Sequence, residues 1–268
     1  MEIFDFHCHC FPPALARRAV ESVKIRVPGG PDGTLEGNLE YLKARGVTGC
    51  ALLHMASRPD TQDKVNAFAL STRGPGRFVF GSVHPEAPDA VGKVQWLWDQ
   101  GIRGIKFHTA HQNFPFDDPK YLPLYRRIGA LNMATLVHCG PSLKSDRYPV
   151  YPRNVARVID AFLGAPFICA HMGGVGPEDG EFPLLCRLPV LVDTAMVYRW
   201  MDAAAFTRAA EALGSHRVLF GTDLPWGSWE KTLNLITAAT QQAPTLDEEA
   251  ILSKNAQSLI RAAGGGYR

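Results

Sequence analysis

The sequence predicts a single α/β domain over residues 1–268, built as a (β/α)8 TIM barrel, and three observations carry that reading. Short β-rich runs alternate with longer helical patterns from end to end, and eight such runs can be counted. Dividing the length by eight gives about 33 residues per unit, close to the roughly 30 of one strand-helix repeat, and the whole suits a barrel of about 250 residues. Seven of the nine histidines fall at or near the C-terminal end of a run, which is the active face of such a barrel.

The strand candidates, in order, are 3–9 (IFDFHCH), 49–55 (GCALLHM), 78–84 (FVFGSVH), 104–108 (GIKFH), 134–139 (ATLVHC), 167–171 (FICAH), 190–194 (VLVDT) and 218–223 (VLFGTD). Each is a short apolar run of the kind that a parallel sheet buries on both faces. Between them, helical spacing marks 38–46, 93–101, 121–132, 154–164 and 202–214, and several of these segments close on Gly, the usual C-terminal stop. No G-x-G-x-x-G follows any strand, which weighs against an open dinucleotide-binding sheet. The Gly/Pro clusters at 28–34 and 73–77 read as turns, because neither sits between strand and helix in phosphate-loop spacing.

Composition narrows the function classes. With 46% hydrophobic and 20% charged residues the chain can fill one sizeable core, so disorder and coiled coil are excluded. Lys+Arg exceed Asp+Glu by only 28 to 26, so nothing favours a nucleic-acid partner. The longest apolar stretches, about six residues, are far short of the roughly 20 that span a bilayer. No signal peptide is visible at the start, and the six cysteines form no C-x-x-C pair, so the expectation is a cytoplasmic protein with reduced core thiols.

The chemistry is carried by the strand ends. Side chains alternate along a strand, so His7 and His9 share a side and can grip one ion, while His138, His171 and Asp223 arrive from three other strand ends. Imidazoles with one carboxylate suit Zn²⁺ or a similar divalent metal. A lone His-x-His is weak evidence, since alternating histidines also occur as ordinary strand residues; the ordered set on one face is the stronger signal. The same parity aims Lys106 and His108 into the barrel mouth, and sends Cys139 toward the helices.

The run HCH (7–9), the strand-ending LVHCG and CAHMGG, FGTDLPWG, and the closing NAQSLI (255–260) resemble the amidohydrolase superfamily. The likeness spans nearly the whole chain and is closest to the branch with aminocarboxymuconate-semialdehyde decarboxylase and 2-pyrone-4,6-dicarboxylate lactonase. The resemblance implies that His7, His9, His138, His171 and Asp223 are metal ligands, and that Asp223 also accepts a proton. It implies one divalent ion rather than two, Zn²⁺ being the identity that such ligands favour. In binuclear members a carbamylated lysine bridges two metals, and Lys106 stands at a suitable place. Alternatively Lys106 stays cationic, binding a substrate carboxylate or pairing with a core acid.

The catalytic set is therefore Asp223, His171 and His108, with the last a substrate contact or proton relay. The HTAH segment holding His108 and His111 reads as a loop, so their spacing is not taken as helical. His54 and His84 can line the pocket, support the ligands or sit in the core, and His216 reads as structural. Phe11, Phe114, Phe116, Trp226 and Trp229 are the expected apolar walls. For a substrate carboxylate the loops offer Lys144, Arg147, Arg153 and Arg199, of which Arg147 and Arg199 are preferred. Asp193 reads as a structural hydrogen-bond acceptor. The leading expectation is a metal-dependent hydrolase of an amide, lactone or ester in a small-molecule substrate. Non-oxidative decarboxylation of an aromatic or unsaturated acid is the alternative, and a homodimer is an assembly the resemblance allows.

Overall fold

The computed structural model describes residues 2–142, 145 and 147–266. Eight strands lie parallel in chain order: β1 (Phe4–Cys8), β2 (Gly49–Leu53), β3 (Arg77–Gly81), β4 (Gly104–Phe107), β5 (Ala134–Val137), β6 (Phe167–Cys169), β7 (Leu191–Asp193) and β8 (Val218–Leu219). Each coincides with one predicted run and is mostly trimmed at its C-terminal end, where the chain leaves the ladder toward the mouth. The segment after β8 then closes the barrel against β1: Phe6 N–H donates to the Phe220 carbonyl (2.7 Å), Asp223 N–H to that of His7 (2.8 Å), and His9 N–H to that of Leu224 (2.7 Å). The architecture is a (β/α)8 TIM barrel.

Eleven α-helices surround the sheet among the described residues: α1 (Pro13–Ser22), α2 (Leu35–Lys43), α3 (Gln62–Ser71), α4 (Ala90–Asp99), α5 (Thr109–Gln112), α6 (Leu122–Ala130), α7 (Pro152–Ala156), α8 (Phe182–Arg187), α9 (Ala203–Leu213), α10 (Trp229–Gln242) and α11 (Asn255–Ala262). Local chemistry sets their ends. The Thr34 hydroxyl accepts from Gly37 N–H and starts α2 three residues before the predicted boundary, and Asp202 caps α9 by accepting from Ala205 N–H. Gly214, at φ +86°, stops α9 as expected. The single helix expected over 154–164 is instead α7 followed by a 3₁₀ turn, Ile159–Phe162, which seats the Phe162 ring 4.8 Å from that of Tyr125.

Alternate strand residues make two cores. Phe4, Phe6, Ala51, Leu53, Phe78, Phe80, Leu136 and Ile168 fill the barrel, with Leu259 and Ile260 of α11 closing its floor. The intervening residues, among them Cys50, Leu52, Ile105, Phe107, Val137 and Cys139, face the helices. This leaves the C-terminal ends of the strands free to carry polar groups. No helix among the described residues is long and apolar enough to cross a membrane.

Candidate metal centre

The β1 strand carries an irregularity that builds the site. Asp5 registers with Cys50 but Cys8 with Leu52, so one extra residue is inserted between them. The insertion lets Phe4 and Phe6 fill the floor while His7 and His9 reach the mouth. Just beyond β8 stands Gly221, where a Cβ would lie 2.9 Å from that of His7, so the close approach needs glycine. Thr222 then donates from its backbone N (3.0 Å) and hydroxyl (2.6 Å) to the buried Asp5 carboxyl, which also accepts from His7 N–H. Burial, only partly offset by these bonds, pushes the Asp5 pKa up to about 6. Asp223 follows at φ +68°, and His171 sits at φ +57°, conformations that cost a non-glycine residue about 1–3 kcal/mol each and cluster at functional sites.

Hydrogen bonds on the far side of each ring assign the protons. His9 Nδ1 lies 3.0 Å from the Leu53 carbonyl and His171 Nδ1 lies 2.8 Å from the Ala195 carbonyl; a carbonyl only accepts, so both nitrogens donate. His7 Nδ1 donates to the buried Asp193 carboxylate at 2.8 Å. His138 Nε2 faces the Pro141 carbonyl at 3.3 Å. The opposite nitrogens, carrying lone pairs, all turn inward: His7 and His9 Nε2 lie 3.5 and 3.3 Å from Asp223 Oδ1, and His171 Nε2 lies 3.0 Å from His138 Nδ1. Burial is the main cause that holds the His7 pKa down to about 4 and that of His138 well below its ordinary value. The His7–Asp193 contact is therefore a neutral imidazole donating to a carboxylate. Burial would raise the Asp223 carboxyl, but His7, His9 and His171 outweigh it and hold it well below the usual range.

This donor set fits a divalent cation. Lone pairs of His171 and His138 that face each other at 3.0 Å repel unless they share positive charge. Ligand atoms about 2.0–2.1 Å from a tetrahedral ion lie about 3.3 Å apart, and the inward contacts run from 3.0 to 3.5 Å. One donor atom each from His7, His171 and Asp223 falls within a 4.8 Å group, with His9 and His138 at its flanks. Asp193 supports the set twice, since its Oδ1 also accepts from the backbone N–H of His171 (2.8 Å).

A cavity of about 480 Å³ opens over these groups, lined also by Phe11, His54, Lys106, His108, His111 and Trp226. Lys106 is buried, its ammonium has no hydrogen-bond partner among the described residues, and burial lowers its pKa to about 8 against the pull of Asp193 and Asp223. His108 stacks on His138 (centroids 3.9 Å, planes 8° apart), and its buried Nδ1 is also unpartnered. Most of the HTAH segment, expected to be a loop, forms the single turn α5, and the i, i+3 spacing brings the His111 ring 4.0 Å from that of His108, tilted by 33°. His54 Nε2 meets the Thr72 hydroxyl at 3.1 Å, and burial lowers its pKa to about 3.

Other expected contacts are not in the cavity wall. Phe114 and Phe116 are fully buried behind β4, against Phe107, because the chain after α5 folds back under the helices. His84 is turned aside, its Nδ1 accepting from Glu86 N–H, and Trp229 starts α10 outside the cavity. Arg147 is exposed and donates to Asn113, Arg153 pairs with Glu181, and Arg199 lies exposed beyond β7. Lys144 lies outside the described residues. The lysines that do line the cavity are Lys106 and Lys64. Asp5 escaped the sequence reading, although a lone carboxylate within an apolar strand demands buried partners.

The sequence profile of the amidohydrolase family matches residues 4–262, and the chain belongs to this family. It is an enzyme of the amidohydrolase superfamily. Solved structures share the fold over nearly all of both chains. A TIM-barrel protein of Bordetella bronchiseptica is 20% identical, with TM-score 0.75, covering 98% of this chain and 100% of that one. A Pseudomonas putida protein proposed to be a 2-pyrone-4,6-dicarboxylic acid hydrolase is 20% identical, with TM-score 0.69 and 97% of each chain covered. The 5-carboxyvanillate decarboxylase of Sphingomonas paucimobilis is 16% identical, with TM-score 0.70, covering 97% and 99%. No curated protein sequence is significantly similar to the chain.

Proposed function

We propose that the protein is a metal-dependent hydrolase acting on an amide, lactone or ester of a small molecule. The observation that carries this reading is the cluster of proton-free imidazole nitrogens at the barrel mouth, those of His7 and His9 facing the Asp223 carboxylate and that of His171 facing His138. His7, His171 and Asp223 would hold one divalent ion, with His9 and His138 at its flanks, and imidazole-carboxylate softness favours Zn²⁺. When bound, such an ion supplies Lewis acidity, making water a nucleophile near neutral pH and polarising a carbonyl.

The chain's own groups divide the remaining work. Asp223, held ionised, accepts a proton from the attacking water. His171 donates through Nδ1 to Ala195, so its inward Nε2 carries the lone pair a ligand needs and cannot donate to an oxyanion. That second task falls to Lys106, whose unpartnered ammonium stands in the same cavity. His108 presses on the His138 ring and limits its rotation. Trp226 and Phe11 screen the mouth from water.

Lys106 also favours a second reading, non-oxidative decarboxylation, because a buried cation without a protein partner suits a substrate carboxylate. One experiment tests both: divalent metal per chain is measured for wild type, Lys106→Met and Asp223→Asn, with a panel of lactones, esters, amides and aromatic acids scored for hydrolysis and carbon dioxide. The expected result is one equivalent in wild type and Lys106→Met, hydrolytic turnover, and a loss of about 10²–10⁴-fold in Asp223→Asn. Carbon dioxide release without hydrolysis selects the second reading. Full turnover by Asp223→Asn, or by metal-stripped protein, overturns both.

A further inference from the structure

The cavity is larger than the metal centre needs, and its excess lies on one side. From His9 an apolar wall runs through Trp226 (ring centroids 5.5 Å) to Phe11 (5.8 Å), and from His54 to Phe68 (5.4 Å). Beyond these rings the walls are two helix faces. Leu15, Ala19 and Val23 stand four residues apart along α1 and its C-terminal end, and Val65 and Phe68 lie on one face of α3. The α1 helix contributes only Ala16 to the buried set, and Leu15 is 53% exposed, so this apolar face is not spent on the core. It is nevertheless tethered to the site, since Trp226 Nε1 donates to the Val20 carbonyl, one of the last four that the helix cannot satisfy internally.

We infer that the substrate carries an elongated apolar arm, an alkyl or aryl-alkyl chain, which lies in the cleft between α1 and α3 while its reacting polar end meets the histidines. The inference deepens the proposed function and rests on it for the polar end alone. The volume of about 480 Å³ has room for roughly sixteen water-sized groups. A single-ring acid placed at the histidines leaves much of that space unfilled. Among the described lining residues the charged side chains besides the imidazoles are Asp223 and Lys106 at the centre and Lys64 on α3. Lys64 is exposed and near Asp60, so no buried charge opposes an apolar chain in the cleft.

Isothermal titration of the intact protein with straight-chain monocarboxylates, butanoate to decanoate, tests the inference without requiring turnover. Affinity is expected to climb about two- to fourfold per added methylene until the cleft is full, with an increasingly negative heat-capacity change. Ala19→Trp, which blocks the cleft, should abolish the climb while leaving butanoate binding within twofold. Leu15→Glu, at a position exposed enough to tolerate the change, should flatten the climb with an unchanged circular dichroism spectrum. Affinity that does not vary with chain length, binding by no member, or the same climb in both variants would overturn the inference. Because metal content and Asp223→Asn turnover decide the reaction separately, a failed reaction assay leaves the chain-length result intact, and the converse holds.

Discussion

Asp193→Asn is an almost isosteric change that should weaken the proposed metal centre and spare the fold. Asp193 Oδ1 accepts from the backbone N–H groups of His171 (2.8 Å) and Ala195 (3.1 Å), and Oδ2 accepts from His7 Nδ1 (2.8 Å). An asparagine must place its oxygen toward the two backbone donors, because the reverse orientation would strand two buried N–H groups at about 1–3 kcal/mol each. Its amide NH₂ then faces His7 Nδ1, which can meet it only as an acceptor. The His7 proton moves to Nε2, the atom 3.5 Å from Asp223 that would otherwise present a lone pair to the ion. Loss of such a support lowers metal affinity about 10–100-fold, or about 1.4–2.8 kcal/mol at 1.4 kcal/mol per decade. All three hydrogen bonds survive, only the one to His7 with its polarity reversed, so Tm of the metal-free protein should move by only a few degrees. Competition with a chromophoric chelator gives the affinity and calorimetry gives Tm. Asp193→Ala is the control: it strands both backbone donors and should lower Tm markedly. Metal affinity within threefold of wild type in Asp193→Asn would refute the assignment of the His7 proton.

Two further outcomes follow from burial. In metal-free protein, folded His7 and His54 bind a proton near pH 4 and near pH 3, both held down mainly by burial, whereas the unfolded chain binds them near 6.5. The unfolded state thus holds more protons between those values, so stability is greatest above pH 6.5 and is lost as pH falls toward 4. His108 and His138 act in the same direction, while Asp5, raised to about 6, opposes by one proton between about 4 and 6. Tm measured from pH 7 to pH 4.5 should fall steeply, and His54→Gln should make the fall shallower; a flat profile contradicts the neutral-imidazole picture. Phe114→Ala empties a core site beside Phe107 and Tyr121 and should cost about 3–5 kcal/mol. Its KM at a permissive temperature should equal that of wild type, and a raised KM would restore Phe114 to the substrate wall.

The barrel was legible because its signals are local. A strand buried on both faces is a short apolar run wherever it stands, and an active-face polar group can follow only where the strand leaves the ladder. That is why His7, His138, His171 and Asp223 could be grouped before any coordinates. Loop arginines fail the same logic. Whether Arg147 points at the mouth or at Asn113 depends on the path of a long loop, which composition does not encode. The α1 face was hidden for a related reason, since helical spacing shows which side is apolar and not whether that side meets a core or a cavity.

The β1 strand shows where strict pattern reading stops. Alternation correctly pairs His7 with His9, but carried back along the strand it would put Phe4, Phe6 and Cys8 on one face and Asp5, His7 and His9 on the other. With Phe4 and Phe6 in the barrel floor, that rule would turn both histidines toward the helices. The inserted residue between Asp5 and Cys8 breaks the alternation once, so a five-residue strand supplies aromatic floor and imidazole mouth together. Asp5 holds the break in place by bonding His7 N–H and Thr222, a partner 217 residues away. The placement of His7 and His9 at the mouth is therefore a property of the β1–β8 seam. Nothing in the DFHCH run by itself reveals it, because the compensating threonine sits at the other end of the chain.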